Sequence, residues 1–246
     1  MRRIAVFMAI PAVFCATPAL AQFQCDPTQD ASLSPYSQSK FQSVLSQSKL
    51  QIPDSSTCLT NSQIMNNYYD PDNWYLDSTN MQFEIKGGAK SQRNELRGNS
   101  FSGSRTDMHY AARLKIRHGE GFSDQFTVAQ IYGQTGGVPI LRVEYQAYRA
   151  GLSDRLWGVY RLDSTSQSQF EYQDLGPAPY QFTTLDLVYN DNGTVTAKLG
   201  DNPTRTWSSN FSYYNQSAKQ VYFKTGCYLQ DAGDCYVRFS TLRFDT

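Results

Sequence analysis

The feature that most restricts the fold of this chain is a series of short segments beyond Met81 in which apolar and polar residues alternate. They are Met81 to Lys86, Tyr110 to Arg117, Gln125 to Tyr132, Ile140 to Arg149, Leu156 to Leu162, Thr183 to Tyr189, Val195 to Leu199, Gln220 to Gln230 and Tyr236 to Phe244. A period of two sends successive side chains to opposite faces, so each segment reads as a strand with one buried face. Asn192-Gly193, between two alternating runs, supplies the positive φ angles of a tight type I′ hairpin. No long amphipathic helix and no βαβ rhythm interrupts the series. The pattern predicts an all-β fold, a jelly-roll sandwich of two antiparallel sheets. With no internal repeat or linker, one domain over residues 22–246 is expected.

Nearer the start, Phe41, Val44 and Leu45 stand at helical spacing, and Lys49 to Ile52 reads as a further strand. Arg2 and Arg3, an apolar run from Ile4 to Phe14 and Ala19-Leu20-Ala21 have the three-part plan of a secretory signal peptide over residues 1–21. The expectation is therefore export. Cys15 falls in that segment, which leaves Cys25, Cys58, Cys227 and Cys235 for an oxidising compartment. Four thiols allow three pairings. Cys25 with Cys58 and Cys227 with Cys235 is favoured, and the sequence leaves the matter open. Zinc is the competing use of these thiols, but no CxxC pair is present and the chain has only His109 and His118, so neither metal nor cofactor is expected.

Charge excludes further classes. The 22 basic and 22 acidic residues give a formal net charge of zero, whereas nucleic-acid binding needs a basic excess. An anionic ligand must meet a local basic patch. No stretch approaches the roughly 20 apolar residues of a spanning helix. Nucleic acid and membrane are thus not expected as partners, and a monomer is. GxSxG, P-loop and dinucleotide fingerprints are absent.

The chemistry is carried by three separated strands. In Arg93-Asn94-Glu95-Leu96-Arg97, alternation places Arg93, Glu95 and Arg97 on one face, where the carboxylate would hold two guanidinium forks ready for a carboxylate ligand. In Gln130-Ile131-Tyr132, Gln130 and Tyr132 share a face. In Tyr222 to Gln230, the residues Tyr222, Lys224, Gly226, Tyr228 and Gln230 share one face, with Phe223, Cys227 and Leu229 on the other. One side is thereby lined with phenols and polar donors around a glycine expected to leave room for a ligand. Arg113, Lys115 and Arg117 also share a face and either extend an anionic-sugar track or form a solvated outer surface. Trp74, Trp157 and Trp207 are expected in the core.

Together the three strands resemble the alginate lyases of polysaccharide lyase family 7, whose hallmarks are an RxELR strand, a QIH or QVH strand and a YxKxGxYxQ strand. The resemblance runs from about Lys49 to the end, and departs at Tyr132, where the family has His. It implies a concave sheet forming a cleft for an anionic polysaccharide. Arg93 and Gln130 would neutralise the uronate carboxylate, Tyr228 would be the catalytic phenol, and Tyr132 would take the position of the lost base. Lys224, Arg97, Glu95, Tyr222 and Gln230 would support substrate binding. The implied reaction is β-elimination: the C5 proton is removed, the 4-O-glycosidic bond breaks, and an unsaturated uronate is left.

A phenol is a poor base at neutral pH unless cations stand beside it, and Arg93 and Lys224 are the cations the motifs supply. In β-D-mannuronate and β-D-glucuronate the C5 proton and the leaving oxygen lie on the same side, so one tyrosine can serve both. In α-L-guluronate they lie on opposite sides, and a second group is needed. Loss of the histidine therefore favours a β-1,4-linked polyuronate, mannuronan blocks of alginate or glucuronan, over guluronan. The alternative is a jelly roll that binds anionic polysaccharide without turnover. His109 and His118 lie outside every motif.

Overall fold

The computed structural model describes residues 31–133, 138–162, 169–191, 194–208 and 219–246. Sixteen strands and two short α-helices, α1 (Ser39–Leu45) and α2 (Asn61–Met65), are assigned among them. One sheet holds β1 (Ser48–Gln51), β2 (Thr57–Leu59), β5 (Arg93–Gly98), β6 (Phe101–Ser102), β8 (Gln125–Gly133), β9 (Val138–Arg149), β10 (Leu152–Arg161), β11 (Phe170–Pro177) and β15 (Gln220–Leu229). Its order is β11-β10-β9-β8-β15-β5-β1-β2, with β6 paired to β15. The other holds β3 (Trp74–Asp77), β4 (Asn80–Gly88), β7 (Met108–Arg117), β12 (Thr183–Tyr189), β13 (Thr194–Leu199), β14 (Arg205–Ser208) and β16 (Gly233–Asp245), in the order β14-β13-β12-β7-β16-β4-β3. The strands within each sheet pair antiparallel, as the jelly-roll expectation requires.

Alternation decides what fills the space between the sheets. In β15, Phe223, Thr225, Cys227 and Leu229 are fully buried and face β7, β4 and β16 of the second sheet. The Phe223 ring lies 6.1 Å from Tyr110 and 5.8 Å from Phe244. Each such ring contributes roughly 1.5–3 kcal/mol by leaving water. The one polar side chain in this row, Thr225, is satisfied: its Oγ1 pairs with Tyr110 Oη across the sheets at 2.9 Å and donates to the Val128 carbonyl at 2.9 Å. Cys227 forms a disulfide with Cys235, tying β15 to β16 and thus one sheet to the other. That pairing is the expected one. Cys58 is also disulfide-bonded, and Cys25 lies outside the described residues, as do residues 1–21 and Asn192-Gly193.

The expected strands are present, with α1 and β1 where Phe41 and Lys49 place them. Five strands that alternation does not reveal, β2, β3, β6, β11 and β14, all lie at a sheet edge or off the main path. Trp74 and Trp207 are in the core as expected, whereas Trp157, though buried, carries the Arg149 guanidinium 5.8 Å from its ring.

Candidate active site

The three motif strands are neighbours, in the order β8-β15-β5, at the centre of the nine-stranded sheet. Register brings their polar residues side by side. Lys224 stands opposite Gln130 on one flank and Arg97 on the other, Tyr222 opposite Tyr132, and Tyr228 opposite Arg93. Residues remote in sequence thus share one face because antiparallel pairing aligns their periods.

Glu95 is the hub of this face. It is 1% exposed, yet its Oε1 accepts from Gln130 Nε2 at 2.5 Å and its Oε2 from Lys224 Nζ at 2.5 Å. Arg93 Nη1 lies 3.5 Å from the same oxygen. The Arg93 guanidinium also sits 3.9 Å from the centre of the Tyr228 ring, which places a cation over the phenol. Behind this pair, Arg97 stacks on Tyr222 at 4.1 Å and Tyr222 on Tyr132 at 5.1 Å. Burial holds the Tyr132 phenol above its ordinary pKa, against the opposing pull of Arg93 and Arg161. Tyr222 is raised further, again by burial. Both phenols therefore keep their protons at neutral pH, which disfavours Tyr132 as a replacement base. Burial lowers the Lys224 ammonium, and the Glu95 carboxylate opposes that shift.

A cleft of about 320 Å³ opens on this face, lined by Arg93, Gln130, Tyr132, Val138, Pro139, Arg142, Arg161, Phe170 and Tyr228. All four residues expected to be catalytic line it. The five expected to support binding stand outside its lining: Lys224 and Glu95 are buried, Tyr222 and Arg97 form the stack, and Gln230 donates to Thr127 Oγ1 and accepts from Arg142. Alternation fixes the face of a side chain but not its depth. Gly226 corrects one expectation. Its φ is +135°, β15 is bulged there against β8, and a Cβ would strike the Asn94 carbonyl oxygen and the Phe83 ring. Its glycine serves the backbone rather than leaving room for a ligand.

Sequence reasoning missed Arg142, Glu144, Arg161 and Phe170. Arg142 pairs with the fully buried Glu144 at 2.8 Å, and Arg142 and Arg161 approach the Phe170 ring at 5.2 and 4.9 Å. A signal was present only for β9, where Arg142 shares the polar beat with Glu144 and Gln146; Arg161 ends an apolar run in β10 and shares its face with Val159 and Trp157. Neither histidine lines the cleft. His109 lies in β7 of the other sheet, and His118 stacks on Tyr180 with Nδ1 2.9 Å from its hydroxyl and 3.3 Å from Asp154. Arg113, Lys115 and Arg117 also belong to β7, so they do not extend this cleft. Among the described residues no cluster of His, Cys, Asp and Glu suits a metal ion.

Residues 44–246 match the alginate lyase family. None of the curated proteins matches the chain in sequence. Among solved structures it is similar to the alginate lyase AlyC3, at 20% identity over 88% of this chain and 97% of that one with a TM-score of 0.69. AlyC3 in complex with dimannuronate gives 18% identity, 89% and 97% coverage and a TM-score of 0.74. An alginate lyase from Pseudomonas aeruginosa gives 20% identity, 82% and 98% coverage and a TM-score of 0.68. At such identities the structures speak for the fold, while the match over most of the sequence speaks for kinship. This chain belongs to the alginate lyase family and is a polysaccharide lyase.

Proposed function

We propose that this protein is an exported, monomeric lyase that cleaves β-1,4-linked D-mannuronate in alginate by syn β-elimination, with Tyr228 as the one proton carrier. The observation that carries this reading is the convergence of Arg93, Gln130 and Tyr228 on a cleft that neither histidine reaches. Arg93 and an N–H of Gln130 bind the uronate carboxylate and stabilise the charge that develops there as C5 loses its proton. The phenolate of Tyr228 takes that proton, the C4–O4 bond breaks with its electron pair going to oxygen, and the new phenol returns the proton to O4. A C4=C5 double bond remains and the phenolate is restored. Base and acid are one atom, so proton and leaving group must lie on the same side of the ring, as in mannuronate.

Arg142 and Arg161 add positive charge to the same cleft, which suits a chain of uronates. The family match, and the dimannuronate held by AlyC3, favour mannuronan over glucuronan. Export rests on residues 1–21, and action as a monomer on a cleft built from one chain. The test is to incubate the purified protein with mannuronan, guluronan and glucuronan and follow the unsaturated product near ~235 nm. Mannuronan is expected to react fastest. Equal or faster reaction of guluronan would overturn the single-carrier mechanism, and faster reaction of glucuronan would overturn the choice of sugar.

A further inference from the structure

The mechanism uses the Gln130 amide but not the groups behind it. A glutamine amide has nearly the same shape whichever way its oxygen and nitrogen point, so its partners decide which end faces the cleft. Gln130 is 1% exposed, and its amide donates to the Glu95 carboxylate, an acceptor without a proton to give when ionised. The nitrogen must therefore turn toward Glu95, which leaves the second N–H of the same nitrogen for another acceptor. A neutral group at Glu95 would lift that constraint, since an amide or a protonated acid accepts or donates equally well.

The charge on Glu95 needs its own support, because an unpaired carboxylate at this depth would be strongly disfavoured. Lys224 supplies it, 2% exposed and bonded to the oxygen that Gln130 leaves unused. The three side chains come from three adjacent strands, β5, β8 and β15, and each is held by the packing of the sheet. Lys224 has no place in the cleft lining, so direct contact with substrate does not account for it.

We propose that Glu95 is a positioning residue that fixes the orientation of the Gln130 amide for the substrate carboxylate, and that Lys224 keeps Glu95 charged for this purpose. The inference rests on the lyase reading. Its test is a double-mutant cycle on kcat with mannuronan, using Glu95→Gln, Gln130→Ala and the two combined. Glu95→Gln is expected to lower kcat by about 100-fold with KM changed by no more than about threefold, the pattern of a mispositioned catalytic group. Once Gln130 is alanine, the same change is expected to cost less than about threefold more. Glu95→Gln combined with Lys224→Met removes both buried charges together and guards against a variant that fails to fold. It is expected to show the same dependence on Gln130. Full additivity in either background, or a loss confined to KM, would overturn the proposal. An inactive wild-type protein on all three polyuronates would instead overturn the lyase reading.

Discussion

Strands β5 and β7 carry the same kind of pattern, charged residues at every second position in an interior strand, and come to opposite ends. On β5, Arg93, Glu95 and Arg97 are drawn into the sheet: the Arg93 side chain is 13% exposed and that of Glu95 1%. On β7, Arg113 and Arg117 stay exposed, with Arg113 and Lys115 near the Phe182 ring and Arg117 4.2 Å from that of Tyr236. The difference lies in the neighbours. Strands β15 and β8 place Lys224, Gln130 and Tyr228 beside the β5 charges, so a carboxylate is neutralised and walls rise around it. Beside β7, Thr184 faces Arg113 on β12, and Arg238, opposite Lys115 on β16, is paired with Asp77. A charged face becomes a site when adjacent strands bring complementary long side chains to it.

The largest expected effect tests the buried side of this contrast. Tyr228→Phe keeps the ring under Arg93 and removes only the hydroxyl proposed as proton carrier, so kcat on mannuronan should fall by ~10²–10⁴-fold while affinity, measured by titration with mannuronate oligomers, is largely spared. Near-normal turnover would reject the assignment. Lys224→Ala comes next. It strands the Glu95 charge in the protein, and loss of one partner of a buried pair costs about 3–5 kcal/mol, to be read as a fall in the urea midpoint. A loss below about 1 kcal/mol would show that water reaches Glu95. Removing the inter-sheet bridge with Cys227→Ala and Cys235→Ala should cost roughly 2–4 kcal/mol in the same assay.

A smaller effect concerns the end of β7. Burial holds the His118 imidazole below its ordinary pKa, and Asp154 offsets this only in part. The unfolded chain therefore binds this proton first as pH falls, and the native state resists it. The stabilisation that neutral His118 provides is complete above the unfolded pKa of about 6.5 and is lost as pH drops through the lower native value. In His118→Gln the decline in melting temperature between about pH 7.5 and about pH 5 should be shallower than in the wild type. An unchanged slope would assign the acid sensitivity to carboxylates.

These contrasts also mark what the sequence made legible. Interior strands declare themselves because both neighbours and one packed face enforce alternation, as in β15, whose core face is Phe223, Thr225, Cys227 and Leu229. Edge strands do not. Of the eight residues of β11 only Leu175 and Gly176 are buried, so little in the chain distinguishes its inner from its outer side. At the site, the motifs identify which residues meet, because register follows from three strands of fixed period. Depth was hidden. Lys224 and Tyr228 stand four residues apart on one face, yet one is buried against Glu95 and the other lines the cleft, a distinction set by the bulge at Gly226 and by the walls that β9, β10 and β11 contribute.

The exposed charges of β7 should be dispensable for turnover. If sequence pattern alone made a site, neutralising Arg113, Lys115 and Arg117 to glutamine would damage the enzyme as neutralising the β5 charges does. These three residues lie on the sheet opposite the cleft, and among the described residues none of them pairs with a carboxylate. Exposed charges over aromatic rings each contribute about 0.5–1 kcal/mol at most, and glutamine retains much of the packing. The triple variant should keep kcat/KM on mannuronan within about twofold of the wild type, with stability changed by no more than about 0.5 kcal/mol per site. A tenfold fall in kcat/KM on polymer, with short oligomers unaffected, would mean that long chains also engage the second sheet, and the division of labour between the two faces would have to be redrawn.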